Sequence, residues 1–305
     1  MKRDLISISD LSTAEIENIF KLTAQLKKNK NKFANYLKGK SIALLFQKPS
    51  NRTRVSFEVG MYQLGGNALY LSPQEINLGV RESIADVSKT LSRFVDGIVL
   101  RTFEHTNCLE MAAAASVPVI NGLSDFSHPC QALADFFTIK EKLNSLKSVT
   151  LAYVGDGNNV CNSLILAAAK CGMRINVATP VGFEPAKKVV NDAIEVAKNT
   201  GALITVSNDP FSSVKSANVV YTDVWASMGQ EEEVQKRKTI FKDFQINARL
   251  LNAAGKGCLV MHCLPAHRGE EITVDVLESK NSIVFDQAEN RMHVQKAILI
   301  KLLKH

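Results

Sequence analysis

Six short polar segments stand out because each follows an apolar run and carries groups able to bind or transfer charge. They are Ser50-Asn51-Arg52-Thr53-Arg54, Arg101-Thr102, His128-Pro129-Cys130-Gln131, Asp156-Gly157-Asn158-Asn159, Asp223-Val224-Trp225 and His262-Cys263-Leu264-Pro265. The first suits an anion. Ser50 can cap a helix that starts at the next residue, with the amides of residues 51–53 pointing outward, and a helix N-terminus carries about half a positive charge. Arg52 adds a planar donor fork matched to phosphate oxygens. Two arginines in a first turn oppose the helix dipole, so a plain capped helix is the poorer explanation. Arg101 closes an apolar run and should reach the rim, as a ligand contact or in a structural ion pair. His128 taken alone is structural; beside Arg52 and Arg101 it could donate to a developing oxyanion.

The other segments narrow the chemistry. Val154-Gly-Asp-Gly-Asn-Asn159 is a strand-to-helix glycine turn, but the third glycine of a dinucleotide fingerprint is Val160. The next strand ends in Val177-Ala-Thr-Pro180, with no acid for a ribose, which disfavours NAD. A P-loop sequence is absent. Asp223 could hold a substrate ammonium. Cys263 should be partly exposed, as a reactive thiol or a ligand contact. His262 and His267 lack a second His/Cys pair at ligand spacing, so no metal site is expected. Glu231–Lys238 reads as a solvated, mobile surface segment.

These groups need a scaffold. Short apolar runs alternate with helix-like stretches along nearly all 305 residues. Strands are expected at 41–46, 68–71, 97–101 and 118–121, then at 149–154, 174–179, 203–207, 219–223, 258–262 and 282–285. Ser12-Thr-Ala-Glu15 is a capping box for the first helix, another helix starts near Gln131, and the last covers about 287–304. Alternating strands and helices argue for an α/β chain of two domains, each a parallel sheet flanked by helices, joined by interdomain helices. The expected division is 1–140, with 287–305 packing back on it, and 141–286. Ligands sit beyond the carboxyl ends of such strands, so the six segments are expected on one rim.

Composition agrees with a globular chain: 46% hydrophobic and 22% charged residues argue against disorder and coiled coil. No apolar run reaches the roughly 18 residues of a membrane helix. No secretory signal is recognisable, and six cysteines without a framework spacing fit a reduced, cytoplasmic chain. The net charge of +7 would also suit a nucleic-acid-binding module. The densest basic stretch, Lys27–Lys32, is more simply a solvated helix end, and charge alone leaves six ordered polar segments unexplained.

Together the segments resemble the aspartate/ornithine carbamoyltransferase family, from about residue 4 to the C-terminus. Ser50-x-Arg52-Thr53-Arg54 is similar to its carbamoyl-phosphate loop and His128-Pro-x-Gln131 to its second signature. Asp223-Val-Trp-Ala-Ser227-Met228-Gly229 and His262-Cys-Leu-Pro265 resemble the ornithine branch rather than the aspartate, putrescine or acetylornithine branches. The resemblance implies carbamoyl transfer to ornithine with no cofactor. It implies that Ser50, Asn51, Arg52, Thr53 and Arg291 hold phosphate and that Arg101 and His128 face the carbonyl oxygen. Gln131 and the carbonyls of Cys263 and Leu264 would hold the amide. Asn159, Asp223, Ser227 and Met228 would hold ornithine, with the Ser227–Gly229 loop closing over it, and Cys263 would sit beside the reacting amine. Asn51 replaces the family's usual threonine. Asn77 stands where a longer glutamine usually reaches a neighbouring subunit's phosphate site, which implies a trimer or a multiple of trimers.

Overall fold

The computed structural model describes residues 2–226 and 233–304, with the backbone alone at Lys30. The chain divides into two compact units, Met1–Phe137 with Glu289–His305, and Thr138–Ala288. No helix among the described residues is long and apolar enough to cross a membrane.

In the first unit the order is α1 (Thr13–Lys28), β1 (Ser41–Phe46), α2 (Asn51–Gln63), β2 (Asn67–Leu71), α3 (Pro73–Ile76), α4 (Ile84–Leu91), β3 (Gly97–Arg101), α5 (His105–Ala114) and β4 (Val119–Leu123). Helix α6 (Pro129–Leu143) leads out of it. Ser12 and Glu15 form the capping box of α1. The four strands lie parallel in the order β2-β1-β3-β4. β1 and β3, central, are apolar and buried almost throughout, as strands covered on both faces must be. β2, at the edge, is only half-buried. Ala43, Leu45, Ile98, Leu100 and Met111 are part of one core.

The second unit holds β5 (Thr150–Val154), α7 (Asn159–Cys171), β6 (Arg174–Ala178), α8 (Lys187–Thr200), β7 (Leu203–Ser207), α9 (Pro210–Val214) and β8 (Val219–Thr222). Then come α10 (Val234–Ile240), α11 (Ala248–Ala254), β9 (Leu259–His262) and α12 (Val274–Leu277), before α13 (Val284–Leu303). The five strands are parallel in the order β7-β6-β5-β8-β9. Ala152, Val154, Val220, Val260 and Phe241 belong to its core.

One expected strand is corrected. Residues 282–285 form no strand: Ser282 makes an isolated bridge to Val260, and Val284 already begins α13. The Ile283 amide bonds the Val260 carbonyl, but the Gln287 amide returns to the Ile283 carbonyl, turning the chain into a helix. Phe285, which made the run look like a strand, is exposed. The described sheets thus hold four and five strands rather than four and six.

Each sheet has a switch point where successive connections leave in opposite directions, and crevices open beyond the carboxyl ends there. In the first unit it lies between β1 and β3, in the second between β5 and β8.

Candidate active site

The switch point of the first unit gathers cations. β1 ends at Phe46, paired with Arg101 at the end of β3. Ser50 then caps α2: its Oγ accepts from the Thr53 amide at 3.2 Å. That amide is therefore turned inward, so the outward-facing amides of the first turn are those of Asn51 and Arg52, which have no acceptor within the helix. Arg54 is ion-paired with Glu58 at 2.9 Å and lies over the Tyr70 ring at 3.8 Å. Arg52 is half-buried and has no ion-pair partner among the described residues. Of the two arginines that oppose the helix dipole, only Arg52 keeps its charge for a ligand.

Behind this loop the side chains are buried. Arg291, from α13, is 4% exposed, and its guanidinium donates to Thr53 Oγ1 at 2.8 Å. Arg101 is buried at the end of its strand. His128 lies just before α6, and its carbonyl accepts from Gln131 and Ala132 in the first turn. Burial, then the Arg291 and Arg101 cations, push its imidazole well below the ordinary value. His128 is therefore neutral near pH 7 and can donate from only one ring nitrogen.

Gln131 is 1% exposed. Its Nε2 donates to Asp135 Oδ1 at 2.8 Å, which fixes the orientation of the amide. The opposite atom, Oε1, is buried without a hydrogen-bond partner among the described residues. An unsatisfied buried acceptor costs about 1–3 kcal/mol, so it is suited to a ligand N–H. Asn77 is elsewhere in kind: it is exposed, in the left-handed region at φ 45°, and caps α3. The adjoining Leu78 carbonyl accepts from Gln47 Nε2 at 3.2 Å.

The switch point of the second unit gathers an acid, a thiol and two asparagines. Asn158 caps α7, its Oδ1 accepting from the amides of Val160 and Cys161 at 3.0 and 3.1 Å. Its Nδ2 donates to Asp223 Oδ2 at 2.8 Å. Asp223, just beyond β8, is buried; its Oδ1 accepts from the Val224 amide and from Cys263 Sγ, both at 2.8 Å. Asn159 is buried at the first position of α7. Cys263 is half-buried just beyond β9. Ser227 and Met228 lie outside the described residues.

Three donor atoms of Asp223, His262 and Cys263 lie within 4.8 Å of one another, the spacing of a metal site. Both ring nitrogens of His262 already carry hydrogen bonds, to the Leu264 amide and to Glu271, so a metal would have to displace one. The glycine turn has a steric reason rather than a dinucleotide one. A Cβ on Gly157 would stand 2.3 Å from the Pro185 nitrogen and 2.4 Å from the Glu184 carbonyl carbon. A side chain at 157 would collide with the chain's own backbone.

Sequence reasoning missed three groups. Asn158 links the helix cap to Asp223; its neighbour in the Asn-Asn pair drew the attention instead. The segment read as solvated is helical from Val234, and Arg237 within it is buried. Its guanidinium bonds Asp156 Oδ2 at 3.0 Å and the Trp225 carbonyl at 2.8 Å, and lies 5.0 Å from the Phe183 ring centre. Burial raises the Asp156 carboxyl to about 6, with Arg237 opposing the rise. Glu271 is wholly buried against His262. Asp156 is defined by a partner 81 residues away, which no local pattern marks.

The model of the aspartate/ornithine carbamoyltransferase carbamoyl-P binding domain matches residues 3–141, and that of the Asp/Orn binding domain matches 147–302. The chain belongs to the aspartate/ornithine carbamoyltransferase family. Among members of this family, the ornithine carbamoyltransferase of Thermococcus kodakarensis is 53% identical over 300 residues, covering 97% of this chain and 95% of its own. A Pyrococcus furiosus relative named "Ornithine carbamoyltransferase, anabolic" is 52% identical, with 97% and 95% covered. The solved ornithine carbamoyltransferase of Pyrococcus furiosus superposes with a TM-score of 0.96 at 51% identity, covering 99% of this chain and 97% of that one. The two parallel sheets flanked by helices are therefore the family's fold.

Proposed function

We propose that the chain transfers the carbamoyl group of carbamoyl phosphate to the δ-amine of L-ornithine, giving L-citrulline and phosphate. Residues 1–140 with the C-terminal helix would bind carbamoyl phosphate, and 141–286 would bind ornithine. The choice of second substrate is carried by Asp223. A buried carboxylate bonded to Cys263 suits a substrate ammonium. An aspartate substrate would bring a second carboxylate and need a cation there.

In this reading the free amides of Asn51 and Arg52, the Ser50 and Thr53 hydroxyls and the Arg52 and Arg291 guanidinia hold the phosphate. Arg101 and neutral His128 face the carbonyl oxygen. Gln131 Oε1, with the Cys263 and Leu264 carbonyls, accepts from the carbamoyl amide. Asn159, Asp223, Ser227 and Met228 take ornithine. The δ-nitrogen lone pair attacks the carbonyl carbon, the tetrahedral intermediate puts its charge on the oxygen, and the carbon–oxygen bond to phosphate breaks. Each preorganised donor to such an oxyanion is worth about 100- to 1000-fold in rate. No cofactor is needed, because phosphate leaves readily. The harder demand is a neutral amine: with a pKa of about 10.4, roughly 0.1% is neutral at pH 7.4, a cost of about 4 kcal/mol.

Asn77 in an exposed turn supports a site completed by a neighbouring subunit, hence a homotrimer or a multiple of it. The six cysteines are unbridged, which supports a reducing cytoplasmic setting. The anabolic relative supports the citrulline-forming direction and arginine biosynthesis. The test is citrulline formation from carbamoyl phosphate with ornithine, putrescine, acetylornithine and aspartate offered in turn. Turnover with ornithine alone is expected; turnover with another amine alone would overturn the assignment of Asp223.

A further inference from the structure

The loop that carries Cys263 and Leu264 is closed by a buried side-chain clamp. His262, at the end of β9, is wholly buried. Its Nδ1 accepts from the Leu264 amide at 2.9 Å. That ring nitrogen is therefore bare, and the proton sits on Nε2. Nε2 points at Glu271 Oε1, 3.0 Å away. The same oxygen accepts from the His267 amide at 2.6 Å. One carboxylate oxygen thus ties the first residue of the 262–267 loop, through its ring, to the last residue, through its backbone. Between them Leu264 is held at φ 57°, a conformation a leucine rarely adopts, in which its amide meets the His262 ring. Glu271 is itself fixed, since its carbonyl accepts from the Ile246 amide at 2.8 Å. The backbone amide of His262 is held by Gln287 Oε1 at 3.0 Å.

Resting on the assignment of Cys263 and Leu264 as substrate contacts, we propose that Glu271 and His262 are positioning residues: Glu271 fixes the Nε2–H tautomer of His262, and that ring holds Leu264 and so aims the Cys263 and Leu264 carbonyls and the thiol. Neither side chain needs to touch substrate. The second carboxylate oxygen of Glu271 takes no hydrogen-bond partner among the described residues. Glu271→Gln can therefore keep both accepted bonds at Oε1 while replacing only that oxygen with an amide nitrogen. Glu271→Ala removes both bonds.

The test compares the unmodified chain, E271A and E271Q. Four quantities are measured: kcat and KM for ornithine, the Kd of inorganic phosphate, and amide hydrogen exchange across residues 263–267. E271A is expected to lose about thirtyfold in kcat/KM for ornithine, the effect of two hydrogen bonds, with inorganic-phosphate Kd within twofold, since phosphate offers no N–H to the loop carbonyls. Its 263–267 amides should exchange at least tenfold faster, and E271Q should recover to within about fivefold on every measure. Equal impairment of both variants, or parallel loss of inorganic-phosphate binding, would overturn the proposal. If E271A does not fold, ring-nitrogen NMR of the unmodified protein decides: a proton on Nε2 of His262 supports the clamp, and one on Nδ1 refutes it. If the unmodified chain leaves ornithine untouched, the substrate assignment fails, while exchange at 263–267 still decides whether Glu271 holds the loop.

Discussion

Gln131→Met separates recognition of the carbamoyl group from recognition of phosphate. The substitution nearly conserves volume and removes both amide atoms, at a position 1% exposed. Loss of the 2.8 Å bond to Asp135 should lower stability by about 1 kcal/mol. Loss of Oε1 acts on the ligand: a carbamoyl N–H that enters the site no longer finds its acceptor. Leaving such a donor buried and unpaired costs about 1–3 kcal/mol, or roughly 5- to 150-fold in affinity. Inorganic phosphate has no such N–H. Calorimetric titration of both ligands into both proteins should show carbamoyl phosphate weakened by that factor and phosphate unchanged within twofold. Equal weakening of the two would mean that Gln131 only supports the fold of the loop. No weakening of either would mean that Oε1 meets no substrate donor, and the placement of the carbamoyl amide would be wrong.

Two further outcomes follow from the second unit. Cys263→Ala deletes a thiol that donates to the Asp223 carboxylate at 2.8 Å; ornithine KM should rise and kcat fall, together by about 10- to 150-fold, with carbamoyl-phosphate affinity kept, and unchanged ornithine kinetics would sink the assignment. The pH dependence of stability should show two opposed trends. Burial lowers the pKa of His105, His128 and His293, so below about pH 6.5 the unfolded chain binds more protons there and stability falls as pH falls. Asp156 is raised from 3.8 to about 6, so between those values the folded chain binds the extra proton and stability gains as pH falls. Asp156→Asn removes only the second trend. Urea midpoints measured from pH 7 to 4 should therefore drop more steeply in the variant, whereas parallel curves would contradict the raised carboxyl.

The fold was legible where one physical cause acted alone. β1 and β3 begin and end where the apolar pattern says, because a covered parallel strand needs a continuous run bounded by polar residues. The Ser12 and Ser50 caps were legible because capping is local. The run at 282–285 misled because its apolar residues serve a single bridge and the start of a helix. Charge was misleading in the same way at Arg237: its burial rests on Glu233 at the N-cap of its own helix together with the Trp225 carbonyl and with Asp156, 81 residues away. Arg52 could be named from its motif, Arg101 from the end of its strand and Arg291 only from the family resemblance, but the free Oε1 of Gln131 is a consequence of Asp135 taking the other end of the amide. Which atom of a side chain is left for a ligand depends on what the fold has already used.

The polarity of the two sites constrains how ornithine can be held. Arg52, Arg101 and Arg291 with a neutral His128 suit a phosphate dianion, and they also disfavour a nearby ammonium. Asp223 does the opposite: a carboxylate within about 4–6 Å stabilises a charged amine. The attacking δ-amine has to be neutral, so Asp223 is the wrong neighbour for it and the right one for the α-ammonium, which stays charged throughout. Cys263 donates a hydrogen bond to that same carboxylate at 2.8 Å, so in the proposed assignment Asp223 both holds the α-ammonium and orients the thiol that stands beside the uncharged nucleophile.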